Sequence, residues 1–430
     1  MKIIIFYASY GGGHLSAARS IKQCIEQKYK DNTIEMIDCM KYINTGIEKM
    51  TTNAYKMMAK EVPWAWGQIY KLSDKGPIYH ISNFNNKVMS IKLNNLFKEF
   101  QPDIVISTHP FSTQMTAWLK QMKKTNCKLA SVMTDFMPQN QWLVGHKYID
   151  CIFVSNKEMK AKIVEKGIDE EKVHVTGIPL SNRFLENFDR EKIKKSFNLD
   201  MNKKSILFFG GGEFGLGKDK TAKILSSFLD NIGKRYQIVV ISGKNEKMQE
   251  RFTKLVKEKN QESNVQVLGY TNQVPELMSV SDLVVTKPGG LTITESLASG
   301  LPIVAINPIP GQEEENAEFL EKAGVAVWLR KHDEPDDQIA VLLSNPERLT
   351  SMKLKSKLMA KRNSTKNICK IILKNAWQME KNGIIYITIK DIKRRTMIVI
   401  YFILFFSLFF LVKKITSEII SKIINNKLQN

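Results

Sequence analysis

Two α/β domains are expected, each a mostly parallel sheet covered by helices on both faces, with a cleft between them. Three observations predict this. Short apolar runs alternate with helical stretches along the chain, the pattern of parallel sheets. The chain has 430 residues, 43% of them hydrophobic, which is enough for two full cores. Glycine clusters follow three of the apolar runs within a few residues, at 11–13, 210–212 and 289–290. Open α/β sheets bind ligands at such strand ends.

The first strand is Ile3-Ile4-Ile5-Phe6-Tyr7. It is too short for the apolar core of a signal peptide, and its β-branched content suits a strand. A glycine turn leads to His14 and to a helix expected from near Ser16. Gly12 and Gly13 let the backbone approach a ligand. His14 stands at a helix N-terminus, whose dipole keeps an imidazole neutral, as a base requires. A dinucleotide fingerprint with Asp38 as its ribose acid fits poorly, because Ser16 takes the third glycine position. Residues 42–95 are less regular. There Trp64, Trp66, Tyr70 and Tyr79 interleave with Lys56, Lys60, Lys71 and Lys75. That mixture suits a bilayer interface and a helix packed on the core equally well. Strands at 103–107 and 129–132 end at Thr108-His109 and Thr134-Asp135, so His109 and Asp135 are expected on one cleft edge. Runs at 151–155 and 173–176 complete the sheet. Gly177-Ile178-Pro179 reads as a linker, with the boundary at 182–195. The domains are set at 1–185 and 186–375.

The second domain opens with a strand at 205–209 and the loop Gly210 to Lys218. As a dinucleotide fingerprint it lacks an acid after the next strand, 237–241. As a P-loop it has Asp219 where a hydroxyl is needed. A glycine-rich cradle at the cleft, including Gly212 and Gly215, leaves no residue out of place. Gly243 and Asn245 follow the second strand, and Gly269-Tyr270 the third, at 265–268. A short helix at 274–279 leads to the strand Leu283-Val284-Val285 and then to Lys287-Pro288-Gly289-Gly290-Leu291-Thr292. Two glycines at a helix start suit an anion such as a diphosphate. Glu295, one turn further on, is placed to accept hydrogen bonds from a ribose. The next strand, 302–306, leads to Gln312, Glu313 and Asn316, which offer partners for sugar hydroxyls. A strand at 325–329 and helices over 335–374 close the domain.

The net charge of +21 favours a polyanionic partner such as an anionic membrane surface. Each lysine near such a surface contributes about 1 kcal/mol. No RNA or DNA module is visible, so nucleic acid is not expected. Five scattered cysteines without a Cys-x-x-Cys pair fit a reducing compartment and argue against structural zinc. Residues 376–430 form a different tail. Lys393-Arg394-Arg395 precedes an uncharged apolar run at 397–412, and Lys413-Lys414 follows it. The run is at the short limit for a spanning helix. It is expected to anchor the protein, spanning or embedded, with the orientation undecided by its basic flanks.

The ordered series from Lys287 to Asn316 resembles the C-terminal half of glycosyltransferase family 28. The likeness is greatest to the monogalactosyldiacylglycerol synthase and processive diacylglycerol β-glucosyltransferase type. It continues in Gly11-Gly12-Gly13-His14, Thr134-Asp135-Phe136, Gly177-Ile178-Pro179 and Gly243-x-Asn245. The resemblance covers about residues 1–370. It implies a GT-B arrangement and inverting transfer of a hexose from UDP-glucose or UDP-galactose to diacylglycerol. It implies no cofactor and no metal. His14 would be the base, with Asp135 and Glu313 in reserve. Gly12, Gly13 and His109 would serve the acceptor. Gly212, Gly215, Gly243, Asn245, Gly269, Tyr270, Lys287, Gly289, Gly290, Leu291, Thr292, Glu295, Gln312 and Asn316 would serve the donor. The protein would work at the cytoplasmic face of the cell membrane. Two departures stand out: Gln139 replaces a family histidine, and the tail has no counterpart. Three alternatives stay open: N-acetylglucosamine transfer to a polyprenyl-linked acceptor, a UDP-sugar 2-epimerase, and a non-catalytic lipid or nucleotide sensor.

Overall fold

The computed structural model describes residues 1–9, 12–29, 31–43, 67–68, 77–210, 218–330 and 334–374. The expected contacts at Gly212 and Gly215, the aromatic–lysine cluster at Trp64, Trp66 and Tyr70, and the apolar tail lie outside them.

The first sheet holds β1 (Lys2–Tyr7), β2 (Thr33–Asp38), β3 (Ile104–Ser107), β4 (Lys128–Val132), β5 (Cys151–Val154) and β6 (Val173–Val175). Its helices are α1 (Gly12–Lys28), α2 (Cys39–Ile43), α3 (Pro77–Phe100), α4 (Pro110–Gln121) and α5 (Lys157–Glu165). After α6 (Arg190–Ser196) comes the second sheet: β7 (Lys204–Phe209), β8 (Tyr236–Ile241), β9 (Val265–Leu268), β10 (Leu283–Thr286), β11 (Ile303–Ala305) and β12 (Ala326–Trp328). Its helices are α7 (Lys218–Asn231), α8 (Glu246–Glu258), α9 (Val274–Val280), α10 (Gly290–Ala298), α11 (Gln312–Lys322), α12 (Pro335–Leu343) and α13 (Pro346–Met359), and α14 (Ser364–Lys374) follows.

Both sheets have six strands, paired in parallel, in the orders β2-β1-β3-β4-β5-β6 and β12-β11-β10-β7-β8-β9. Successive side chains point to opposite faces of a strand. Ile4 and Phe6 therefore join a core with Leu93 and Phe97, while Ile3 and Ile5 join another with Ile21 and Ile25. The second sheet divides in the same way. Phe208 packs on Phe228 and Phe252, and Leu207 meets Ile293 and Leu297 from its other face. Burying each such side chain stabilises the fold by about 1.5–3 kcal/mol. Strands buried on both faces can therefore be as short as three or four residues.

In parallel sheets all strand C-termini share one edge, and the order reverses at a switch point that opens a crevice. The first sheet reverses between β1 and β3, and the second between β7 and β10. The ends of β1 and β3 lead to His14 and His109. The ends of β7 and β10 lead to Gly210 and to Gly289-Gly290.

Two elements differ from expectation. Strand β2 was not anticipated. It is an edge strand, partly exposed over most of its length, and Asp38 at its end is occupied by Ser9 Oγ and by the N–H groups of Met40 and Lys41. Helix α1 begins at Gly12, four residues before Ser16, so His14 lies inside its first turn.

The chain also returns to the first sheet at its described end. Helix α14 follows the helices of the second domain, yet Ile368, Cys369 and Ile372 are buried in the core of β1, β3 and α1. Thr365 Oγ1 donates to the Leu180 carbonyl at 2.7 Å, and the Leu180 N–H donates to Thr365 Oγ1 at 2.8 Å. The interdomain linker is thereby tied to α14. Both sheets belong to one compact unit, Met1–Gln378. Among the described residues no helix is long and apolar enough to cross a membrane.

Candidate active site

His14 is half-buried between the ends of β1, β3 and β4. Its Nδ1 lies 2.6 Å from the Thr108 carbonyl oxygen and 3.2 Å from Thr134 Oγ1. A carbonyl only accepts, so Nδ1 carries the proton, and in a neutral imidazole Nε2 is then the basic nitrogen. Thr108 is itself held, since its Oγ1 donates to the His14 carbonyl at 3.0 Å and to that of Phe6 at 3.2 Å. Burial pushes the imidazole down to about 4, against the opposing pull of the Thr108 carbonyl. His14 is therefore neutral at pH 7, and its tautomer leaves Nε2 as the proton acceptor.

His109 stands edge-on to His14, with ring centroids 4.6 Å apart. It was expected to serve the acceptor. The structure gives its Nδ1 another task, accepting the Phe111 N–H at 3.2 Å as the N-cap of α4. Burial, and then the charge of His14, hold its imidazole well below its usual value. Gly12 is exposed with open space beside it. Gly13 faces the second domain, and a Cβ there would sit 3.8 Å from Leu291 Cβ.

That contact begins the seam where the two sheet edges meet. Gly290 opens α10 against the end of β4. A Cβ added to it would lie 1.9 Å from the Thr134 carbonyl oxygen, so only glycine fits. Space for the domain contact, rather than an anion, therefore requires glycine at this position. Gly289 is different: an added Cβ would meet only Glu313 Oε1, at 3.6 Å. Helix α10 presents its first N–H groups beside this seam, where a helix N-terminus favours negative charge. Leu291 and Thr292 are half-buried in the same turn.

Asn316 was expected to bind donor sugar. It is fully buried, and its amide bridges the domains instead. Its Oδ1 accepts the Phe136 N–H at 3.0 Å, and its Nδ2 donates to the Pro288 carbonyl at 3.1 Å. Asp135 lies beside it, 3% exposed. Burial pushes its carboxyl up to about 6, opposed by hydrogen bonds from Gln312 and Asn316 and aided by Glu313 and Glu315. Gln139, at the position of the family histidine, donates to Asp135 Oδ2 at 3.3 Å. Glu313, the second reserve base, accepts the Ile309 N–H at 2.7 Å and lies 3.6 Å from Lys287 Nζ. Asp135 is thus engaged across the seam, and Glu313 within the second domain.

Glu295 is the exception. It is half-buried on α10, and its carboxyl has no hydrogen bond or ion pair among the described residues. Burial alone pushes it up to about 8. A desolvated, unpartnered carboxyl is what a bound hydroxyl pair would satisfy. Further along the edge, Asn245 caps α8 by accepting the Met248 N–H at 3.2 Å, which leaves its Nδ2 for a ligand. Gly243 and Gly269 lie together, and a Cβ on Gly269 would be 3.7 Å from the Gly243 carbonyl oxygen. Tyr270 is 70% exposed with Lys244 Nζ 5.3 Å from its ring centroid. Among the described residues no cluster of three or more His, Cys, Asp or Glu side chains could hold a metal ion.

Sequence reasoning missed Thr108 and Thr134. Both follow apolar strands directly, beside His109 and Asp135, and that adjacency was the available signal. Their contacts to His14 span 94 and 120 residues, which no local pattern records.

The chain is similar to known proteins over most of its length. The profile described as monogalactosyldiacylglycerol (MGDG) synthase matches residues 14–180, and that of glycosyl transferases group 1 matches residues 189–359. The processive diacylglycerol beta-glucosyltransferase of Bacillus subtilis (strain 168) is 31% identical over 385 residues, covering 88% of this chain and 96% of that protein. Its counterpart from Bacillus pumilus (strain SAFR-032) is 32% identical over 380 residues, covering 87% and 95%. Among solved structures, Acinetobacter baumannii MurG superposes with a TM-score of 0.55 at 15% identity, over 87% of this chain and 99% of that one. Staphylococcus aureus MnaA gives 0.59 at 14% identity, over 86% and 95%. These two share the fold, two parallel-sheet domains in the GT-B arrangement. By the extent of its likeness to the Bacillus proteins, this chain belongs to glycosyltransferase family 28, in the branch of the processive diacylglycerol β-glucosyltransferases.

Proposed function

We propose that this protein transfers glucose from UDP-glucose to the free hydroxyl of 1,2-diacylglycerol, inverting at the anomeric carbon to give a β-glucosyl diacylglycerol. The observation that carries this reading is His14: a neutral imidazole, proton on Nδ1, at the seam where α10 of the second domain meets the first. In the reaction Nε2 takes the hydroxyl proton as the acceptor oxygen bonds to C1 of the glucose. The C1–O bond to the diphosphate breaks on the opposite side, and UDP leaves with the electron pair. The N–H groups opening α10 stabilise the diphosphate charge without a metal ion. Glu295 accepts hydrogen bonds from the ribose hydroxyls, which replaces the partner its carboxyl lacks. The names of the Bacillus relatives favour glucose over galactose and support repeated addition to the growing glycolipid. The lysine-rich surface and the apolar run at 397–412 support work at an anionic bilayer, where the acceptor resides.

The test is incubation of the full chain with labelled UDP-glucose, UDP-galactose or UDP-N-acetylglucosamine and diacylglycerol liposomes. Label from UDP-glucose in a chloroform-soluble glycolipid is expected. With a polyprenyl diphosphate acceptor supplied in parallel, label reaching only that acceptor, or free epimerised nucleotide sugar without glycolipid, would overturn the reading.

A further inference from the structure

Thr134 stands where the two domains meet, 6% exposed, and its two polar groups face different partners. Its hydroxyl lies 3.2 Å from His14 Nδ1. Its backbone carbonyl is packed so closely on Gly290 that a Cβ there would come within 1.9 Å of it. The Nδ1–H of His14 already points to the Thr108 carbonyl at 2.6 Å, so Thr134 Oγ1 serves as a second acceptor for the same proton. Acceptors at that N–H favour the imidazolium over the imidazole, because the charged ring is the stronger donor. Their effect is therefore greatest when Nε2 has taken a proton. The carbonyl contact, meanwhile, prevents α10 from shifting toward the first domain without moving the end of β4. Since α10 opens with the N–H groups that face the donor, its seating is coupled mechanically to the residue beside the base.

We propose that Thr134 is a positioning residue that holds His14 through its hydroxyl and couples it, through its carbonyl packed on Gly290, to the donor-side helix α10. The proposal rests on the glycosyl-transfer reading above, and goes beyond it in giving the base a connection to the nucleotide site. The two variants that test it are Thr134→Val, which keeps the shape and loses the hydroxyl, and Thr134→Ser, which keeps the hydroxyl. Thr134→Val is expected to lower kcat about 10-fold or more, with KM for UDP-glucose unchanged and the acid limb of kcat/KM displaced to lower pH. Thr134→Ser should restore most of the rate. A Thr134→Val enzyme with wild-type kcat, or a loss that Thr134→Ser shares in full, would overturn the positioning role. The coupling is read without turnover, from the ring resonances of labelled His14 in the full-length protein. Saturating UDP should move them in the wild type and leave them in place in Thr134→Val. Wild-type resonances indifferent to UDP would overturn the coupling, even if Thr134→Val fails to fold. A wild type that makes no glycolipid would instead sink the functional reading, while the titration still decides the role of Thr134.

Discussion

The proposed reaction rests on two residues, His14 and Glu295, whose ionisation burial has displaced in opposite directions. His14→Ala should lose about 10²–10⁴-fold in kcat while circular dichroism shows an unchanged fold. Because burial holds the His14 imidazole down at about 4, it stays neutral at pH 7, and activity should fall only as pH drops toward that value. The stability consequence has a definite sign. A histidine depressed on folding adds stability above its ordinary value of 6.5, and that stability is lost as pH falls from 6.5 toward about 4. Glu295 does the reverse. Its carboxyl is raised from 4.5 to about 8, so its contribution is full below 4.5 and is lost as pH rises toward 8. Glu295→Gln should therefore stabilise the protein by on the order of 1–2 kcal/mol at pH 8.5, with no gain at pH 4.5, in thermal melts at the two pH values. The same variant should bind UDP more weakly by calorimetry. A gain that is the same at both pH values would show that Glu295 is not carrying this ionisation.

At the scale of elements, α10 brings two neighbouring glycines with different tasks to one turn. A methyl group on Gly290 would overlap the Thr134 carbonyl oxygen, whereas on Gly289 it would meet Glu313 Oε1 at an ordinary 3.6 Å. Gly290→Ala should cost about 1–3 kcal/mol and abolish most activity, since either α10 or the end of β4 must move. Gly289→Ala should change stability by no more than about 0.5 kcal/mol. Chemical denaturation of the two variants side by side checks the contrast, and equal losses would refute it. The glycine pair was legible in the sequence as a helix start beside a strand end, which is what α10 and β10 form. That Gly290 touches the other domain was not legible, because Thr134 lies in a different sheet.

The whole molecule is tied together at three places distant in sequence. Asn316 bridges Phe136 and Pro288, Thr365 holds Leu180, and α14 fills the core beneath α1. The domain limits drawn from the sequence put α14 with the second domain, by chain order. Its packing belongs to the first, where Ile368 and Ile372 replace solvent against Ile21 and Ile25. Ile368→Ala should cost about 2–5 kcal/mol and lower the melting temperature by several degrees. Hydrogen exchange should rise in α1 and β1, far along the chain from the substitution. Faster exchange confined to α12 and α13 would contradict this packing.

The sequence alone determined the strands, their alternation with helices, and the glycine turns that follow them. These are local properties: β-branched apolar runs fold as buried strands, and parallel strands bring every C-terminal end to one edge. His14, Glu295 and the 289–316 segment could be placed on such edges for that reason. Strand β2 escaped notice because Thr33–Asp38 is an edge strand of mixed polarity, and the start of α1 did so because glycine is a poor helix former. Only the tertiary structure decided which side chains at those edges stay free for a ligand. Thr108 and Thr134 hold His14 by one nitrogen, His109 caps a helix, and Asn316 closes the seam. Each of these choices is a contact between residues brought together by two separate sheets, and side-chain hydrogen bonds across such distances leave no periodicity in a sequence.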